Sequence, residues 1–492
     1  MNSEAQLTVP SLETFDTDAA AIETTCVIVG AGACGLVAAL RLAHAGVDCI
    51  VLERDASPSG STSMSSGFIP AAGTHLQRSL GIDDSAELLA TDIQRKARQQ
   101  VDPALLAALT RRSGDVIDWL ADAYGLEWVV LQDFLYPGHT THRMHAVPEK
   151  TGAALQQRLL TALHSTSQTL VTSTRAEALV VDDTGAVRGV RVRYGDGSTE
   201  LIHAANTILA CNGYGANQAL LSQHIPELAG VHYHGHAGNT GDAMLWAQLL
   251  DVPLLQMSAY QGHGSLASGH NILISWALMM EGGVQVNREG VRFSNEHGGY
   301  SEQAQNVHQQ PGSVAWNIYD ARLHQLGLDF PDYREAQDAG AVVTAETLDA
   351  LAAQLGLPLP ALERTMEAVV ALAAAEAVDE FGRQFIATQQ LAAPWYAIKV
   401  IPALFHTQGG LAIDTGAHVL RDNGTVVRGL YAAGGAAVGV SGESVSGYLS
   451  GNGLLSAVGF GAIAADSVTA AVESDSKRGA GGCTTSSPVR NR

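Results

Sequence analysis

The sequence predicts an α/β fold: a Rossmann-type dinucleotide-binding domain built from two segments of the chain, with an α+β domain inserted between them. Three observations predict it. A strand, a glycine turn, a helix and a second strand follow one another over residues 25–53. Strand and glycine signals return from about residue 396 onward. Between residues 265 and 395, Ala/Leu-rich helical segments alternate with irregular polar loops, a composition unlike either flank.

The elements can be justified in order. Residues 1–23 are polar and lack a period, so they read as a loose arm. Cys26, Val27, Ile28 and Val29 form an apolar run of buried-strand type. Gly30-Ala31-Gly32-Ala33-Cys34-Gly35 follows with the G-x-G-x-x-G spacing, then a helix over about 36–44, then a strand over 49–52 that ends on Glu53. In that context each glycine has a task. Gly30 permits the tight turn, Gly32 lets a pyrophosphate approach the backbone, and Gly35 lets the helix pack on the strand. Ala33 and Cys34 lie in the turn before the helix, whose N-terminus faces the phosphates, and Glu53, with Arg54 beside it, can accept from a ribose hydroxyl.

Residues 59–67, with Ser61, Thr62, Ser65, Ser66 and Gly67, are small and hydroxyl-rich, as suits a loop wrapping a cofactor. Residues 85–124 are helical and amphipathic. A polar, aromatic loop follows, with Tyr136, His139, Arg143 and His145 as groups able to meet a substrate. A helix over 151–164 leads to strands at 178–181, 187–194 and 200–203, separated by Asp-Thr-Gly and Gly-Asp-Gly turns. The strand at 207–213 ends in a glycine turn, and Gly241-Asp242 opens another helix. Helical stretches at 345–356 and 358–378 belong to the insert. The segments 409–414 and 429–435 return to strand and glycine, and a helix over about 454–465 closes the fold. Residues 474–492 are Ser/Gly/Thr-rich and read as a disordered tail. The expected organisation is therefore an arm (1–23), a first dinucleotide segment (24–264), a capping domain (265–395), a second dinucleotide segment (396–473) and the tail.

Composition excludes several function classes. The formal net charge of −21 over 492 residues opposes binding to nucleic acid or anionic membranes. Five cysteines, Cys483 among them, show no C-x-x-C or metal spacing and read as reduced core thiols. With no cationic leader and no apolar stretch that reads as a bilayer span, a soluble cytoplasmic protein is expected.

Taken together, the ordered series GAGACG with Glu53, the 59–67 loop, TILACNGYGAN, NTGDAM, GGVQVNREGVRFSNE, DEFGRQ, GGLAID and GLYAAG resembles the flavoprotein-subunit family of fumarate reductases and succinate dehydrogenases, whose relatives include the 3-ketosteroid Δ1-dehydrogenases. The resemblance covers roughly residues 25–470. It implies FAD, a two-part FAD-binding domain, a capping domain, and an active site between them at the isoalloxazine ring. It also implies FAD contacts along Ala178, Ala210, Asn212, Gly213, Gly241, Asp242, Gly434, Asn452, Leu454 and Leu455, besides the residues above. Some members attach the flavin through a His in the Ser/Thr loop. Residues 59–67 hold none, so the FAD is expected to be non-covalent. Gly435 stands where the family often has Glu.

The active-site residues depart from the dicarboxylate branch. Gln261 and His263 resemble that branch's Gln-x-His pair. Ser275 and Trp276 replace its Thr-Glu pair, Tyr300 stands where an Arg follows the Asn-Glu motif, and the loop over 439–453 lacks the family's His and Arg. Without those cations, nothing offsets two carboxylates or a developing carbanion. The substitutions are similar to the ketosteroid dehydrogenase branch. That resemblance makes Tyr300 the base that removes a proton α to a ketone. It gives Tyr448, with the amide of Gly451 or Gly453, the ketone oxygen, and Tyr136 becomes a third tyrosine. An unperturbed phenol is a weak base, so Tyr300 needs a lowered pKa or a relay through His297 or Tyr136. Trp276 reads as a pocket wall. The expected reaction is α,β-dehydrogenation of a cyclic ketone, a 3-ketosteroid or a smaller ring such as cyclohexanone or 4-oxocyclohexanecarboxylate. The β-hydride would pass to flavin N5 and electrons to a separate acceptor. The alternatives are a fumarate reductase-like reduction of an enoate, and an FAD protein that only carries electrons.

Overall fold

The computed structural model describes residues 10–481. Its first sheet has nine strands and is organised round Ala21–Val29. Burial along that strand becomes complete at Cys26, where the apolar run begins. A strand covered on both faces carries such a continuous run. Cys49–Leu52 lies parallel on one side and Thr199–Leu209 parallel on the other. Val426–Ala432 joins parallel to Thr199–Leu209 through Thr207, Ile208 and Leu209, so a strand from late in the chain completes the early sheet. Thr174–Val181 and Val187–Tyr194 extend it as an antiparallel meander. Gly185 and Gly197 supply the left-handed turn positions, at φ +75° and +88°.

The N-terminal arm is corrected in its described part. Ser11–Thr14 pairs in parallel with Thr174–Val181, and the Ala21–Val29 ladder starts at Ala21 opposite Leu201. Edge pairing satisfies main-chain groups whatever the side chains, so a polar sequence without a period conceals it. Residues 1–9 lie outside the described residues.

The closing helix is longer than its apolar pattern suggested, Asn452–Gly481. The expected tail at 474–492 therefore begins inside a helix, and residues 482–492, Cys483 included, lie outside the described residues. Over Asn452–Lys477 the helix is long and apolar enough to cross a membrane, which corrects the expectation that no such stretch exists. In the fold, 61% of its apolar window is buried. It packs on Ala33–His44 and Pro103–Tyr124.

The second sheet has seven strands gathered on Trp395–Thr407. Tyr260–Ala267, Ala315–Asp320 and Val342–Ala345 pair with it antiparallel, and His232–Tyr233 pairs parallel. The expected cap boundaries therefore cut the cap's own sheet: 264/265 falls within Tyr260–Ala267, and 395/396 within Trp395–Thr407. The composition shift marks the helices decorating the sheet, Leu348–Leu355 and Leu359–Ala374, but its strands begin well outside them.

Two local features position the site. The helical stretch at 85–124 is two helices, Ala86–Lys96 and Pro103–Tyr124. Asp102 caps the second by accepting from the amides of Ala104 and Leu105, with Pro103 in its first turn. In the cap, buried Glu296 accepts from Arg292 at 2.6 Å and from Arg383 at 2.9 Å, four residues before Tyr300. The two guanidiniums outweigh burial and hold the Glu296 carboxyl down at about 2. A carboxyl lower in the folded than in the unfolded chain contributes stability above its unfolded pKa and loses it as pH falls through the folded value. Acid titration followed by tryptophan fluorescence is accordingly expected to show the cap loosening between about pH 4 and pH 2, and Glu296→Gln is expected to remove that transition.

Candidate active site

A cavity of about 520 Å³ runs between the two domains, from Glu53 and Arg54 past the glycine turn to Tyr300 and Tyr448. At its dinucleotide end, Gly30 has φ +110°, and a Cβ there would lie 2.5 Å from the Ala210 carbonyl oxygen. A Cβ on Gly35 would lie 1.9 Å from the Gly30 oxygen, so that glycine is required by helix–strand contact. Gly32 is different. Its φ is −75°, and a Cβ would meet only Thr62 Oγ1, at 3.4 Å. Packing within the protein tolerates a larger residue there, so the room it leaves belongs to the cavity. Gly32 also caps Ala33–His44 with no side-chain hydrogen bond, which leaves a helix N-terminus on the cavity wall. Glu53 accepts from the amides of Ala31 (3.2 Å) and Asp55 (2.9 Å) and keeps lone pairs for a ribose hydroxyl. The 59–67 loop includes the turn of helix Gly60–Ser63, and Thr62 Oγ1 accepts from Ala33 N at 2.9 Å. A phosphate-facing helix end, an unforced glycine and an acid at the next strand's end fit FAD.

Gly35→Ala is expected to yield protein without bound flavin, because its methyl group cannot coexist with the Gly30 carbonyl. The ratio of flavin to protein absorbance after purification checks it.

Most residues assigned to the cofactor lie on the cavity wall: Gly30, Gly32, Ala33, Cys34, Glu53, Arg54, Ser61, Thr62, Ser65, Ser66, Gly67, Ala210, Asn212, Asp242, Gly434 and Leu454. Others do not. Gly35 packs helix on strand, as above. Ala178 is buried in the sheet, and Thr174, Arg175 and Ala176 line the cavity in its place. A register irregularity between Ala176 and Ala178 shifts which residues face it. Gly213 abuts Thr407, where a Cβ would lie 2.1 Å from Oγ1. Gly241 sits at φ +80° against Leu220 and Tyr214. Asn452 donates to Ser441 Oγ at 3.1 Å, which ties the glycine-rich loop together, and Leu455 is core.

At the other end, Tyr136, Gln261, His263, Ser275, Trp276, Tyr300, Tyr448, Gly451 and Gly453 all line the cavity. His263 stacks on Tyr300 with centroids 4.9 Å apart, and Tyr300 and Tyr448 meet edge to face at 6.2 Å. Burial raises Tyr300 to about 12, opposite to the lowering expected of a base. Hydrogen bonds from Ser450 and Tyr448 to its oxygen act against that rise by favouring the phenolate. Tyr448 is raised well above the usual phenol range by burial and by Tyr300, with the backbone of Gly451 and Gly453 hydrogen-bonded to its hydroxyl. Those two glycines therefore act on Tyr448, and through it on Tyr300. Burial also raises Tyr136, with Tyr300 near enough to add to the effect.

His297 does not reach the cavity. Its Nε2 lies 3.1 Å from the Met279 carbonyl oxygen, so no relay passes through it. Arg143 is also withdrawn from the substrate. It is buried between Asp84 and Asp92, at 2.9 and 2.7 Å. His145 pairs with Thr74 Oγ1 at 2.8 Å, and His139 with the Ser450 carbonyl at 3.0 Å. Trp276 donates its indole N–H to the Glu296 carbonyl at 3.0 Å and presents its ring as wall.

Sequence reasoning missed Ser450, Phe68, Phe330, Phe405, His406 and Gln408, all of which line the cavity. Ser450 was legible, lying two residues from Tyr448. The aromatic residues come from three distant segments and carried no signal. Burial lowers His263 to about 3 and His406 to about 4, so both are neutral at pH 7. Among the described residues, the Lys and Arg side chains lining the cavity are Arg54, Lys150 and Arg175, all from the first dinucleotide segment, and none comes from the cap.

Comparison with known proteins agrees with this geometry. The family model described as an FAD binding domain matches residues 25–454. The chain is 30% identical over 449 residues to a probable fumarate reductase, Ifc3, of Shewanella frigidimarina, covering 90% of this chain and 74% of that one. It is 25% identical over 539 residues to a 3-oxosteroid 1-dehydrogenase of Mycobacterium tuberculosis, covering 86% and 95%. The structure of 3-ketosteroid-Δ4-(5α)-dehydrogenase from Rhodococcus jostii RHA1, in complex with 4-androstene-3,17-dione, superposes with a TM-score of 0.75 at 25% identity, covering 94% of this chain and all of that one. The chain thus belongs to the FAD-binding family of flavoprotein oxidoreductases that contains the fumarate reductases and, as a branch, the 3-ketosteroid dehydrogenases.

Proposed function

We propose that this FAD-dependent oxidoreductase dehydrogenates a cyclic ketone across Cα–Cβ. One observation carries the reading: the cap presents the Tyr300 phenol, neutral imidazoles and aromatic walls to the cavity, with no Lys or Arg among its lining residues, and the dinucleotide segments add the phenols of Tyr136 and Tyr448. Such a surface suits a neutral carbonyl and leaves a dicarboxylate without partners. Tyr300 is the base that takes the α-proton. The phenolate form this requires is favoured by two hydrogen bonds, from Ser450 and from Tyr448. Tyr448 is the donor for the ketone oxygen as enolate charge builds on it. Trp276, Phe330 and Phe405 exclude water and flank the ring. The FAD, held non-covalently, supplies the acceptor for the hydride that leaves Cβ.

Anaerobic bleaching of the bound flavin by a panel of ketones tests the reading. Bleaching by 3-ketosteroids or by cyclohexanones supports it and distinguishes the two ring sizes. The second reading, reduction of an enoate, is favoured by the 30% identity to a probable fumarate reductase. Reoxidation of reduced enzyme by fumarate or another enoate, with no ketone bleaching the flavin, would decide for it. An FAD protein that only carries electrons predicts neither result. The physiological electron acceptor is a further partner to be identified by the same assay.

A further inference from the structure

We propose that Lys96 is a positioning residue: it latches the cap to the dinucleotide domain in the register that sets Tyr300 against Tyr448 and Ser450. Lys96 is the last residue of the helix Ala86–Lys96, which packs on Pro103–Tyr124 in the dinucleotide domain. Its side chain is 14% exposed. Its ammonium donates to the Gly298 carbonyl at 2.9 Å and to the Glu302 carboxylate, both in the cap. Those acceptors bracket Tyr300. Gly298 ends the turn before it, and Glu302 lies in the first turn of the helix Tyr300–His308 that Tyr300 begins. The Glu302 carboxylate folds back over that helix start, where a Cβ on Gly299 would lie 2.6 Å from its Oε2. A small cleft behind the two phenols is lined by Lys96 and Glu302 together with Tyr300, Tyr448 and Ser450.

The same helix and the turn after it grip the other two tyrosine segments. Asp92 accepts from Thr140 N at 2.9 Å, and Arg95 donates to the Gly138 carbonyl at 2.8 Å, both in the loop that carries Tyr136. Gln100 accepts from Glu443 N at 3.1 Å, and a Cβ on Gly447 would lie 3.3 Å from Ala97 Cα, both in the loop that carries Tyr448. Tyr136 and Tyr448 are thus held by this segment through several contacts on each loop. Tyr300 lies on the other domain, and Lys96 is the contact by which this helix reaches its segment. Burial pushes the Glu302 carboxyl up and the Lys96 ammonium acts against it, so removing either partner leaves the other charge uncompensated in a site of low exposure.

The test combines kinetics with a readout independent of substrate, because the kinetic arm rests on the ketone reading. Lys96→Met holoenzyme is expected to keep its FAD and its affinity for a bleaching ketone. Its rate of flavin reduction at saturation should fall by about 10- to 100-fold, the cost of a misplacement near 1 Å. Amide hydrogen exchange over 299–308 is expected to quicken in the same variant, with the glycine turn over 30–35 unchanged. Lys96→Arg is expected to restore both. Unchanged exchange over 299–308, or no recovery with Arg, overturns the proposal. If ketones fail to reduce the wild-type flavin, the ketone reading falls while the exchange arm still decides the latch. If Lys96→Met does not fold, the exchanged pair Lys96→Glu with Glu302→Lys decides, since only a latch is restored by reversing both charges.

Discussion

Tyr300→Phe is expected to slow anaerobic flavin bleaching by a saturating cyclic ketone by about 10²- to 10⁴-fold, the range for loss of a positioned general base. FAD content and ketone affinity should change little. The ring still stacks on His263, and only the oxygen facing Ser450 and Tyr448 is removed. The pH profile gives a second signature. Burial puts Tyr300 at about 12, so near neutrality its phenol is almost wholly protonated. The base form is the deprotonated one, and its fraction grows tenfold per pH unit below the pKa. The first-order rate of flavin reduction is therefore expected to rise with a slope of about 1 in log units between pH 7 and 10. His263 and His406, held neutral at about 3 and 4, add no inflection there. Stopped-flow absorbance at the flavin band measures both. A flat profile in the wild type, with bleaching retained by Tyr300→Phe, would remove Tyr300 from the chemistry.

Tyr448→Phe is expected to cost about 2.7–4 kcal/mol of transition-state stabilisation, equivalent to 10²- to 10³-fold in the reduction rate. Tyr448 receives hydrogen bonds from the backbone of Gly451 and Gly453 and donates to Tyr300. Its single O–H favours the Tyr300 phenolate before proton transfer and turns to the enolate oxygen as Tyr300 takes the α-proton, so its removal takes away both in sequence. The loss should be non-additive with Tyr300→Phe, because each variant breaks the same chain of hydrogen bonds. A double variant no slower than the slower single one is the expected outcome. Independent, additive losses would separate the two phenols. Gly451 has little freedom of its own: its φ is +87°, and a Cβ would lie 2.5 Å from Pro70 Cδ.

Part of this site could be read directly from the chain. The glycine turn, Glu53 and the Ser/Thr loop are local in sequence, and each has a physical task that only a few residue types perform. Tyr300 and Tyr448 were visible as departures from a pattern, phenols where cations were expected. Ser450 was legible only by its place two residues from Tyr448, since a serine in a loop of glycines and serines is not distinctive in itself. Phe330 and Phe405 escaped because their segments are remote in sequence. The placement of Ala178 erred because a local register irregularity moves the cavity-facing position to Ala176. The assignment of His297 failed for a related reason: its nearest partner is the carbonyl of Met279, a residue eighteen positions earlier.

Linear order and residue chemistry were enough for a dinucleotide fold, its cofactor class and a phenol at Tyr300 where the resemblance placed an Arg, since backbone conformation and charge are properties of residues where they stand. Three-dimensional packing had to settle the rest: that a cap strand starts at His232, that Arg143 is spent on two buried aspartates, and that Lys96 reaches Glu302 across the domain junction. Those outcomes depend on distances between residues far apart along the chain, and no local periodicity encodes such distances.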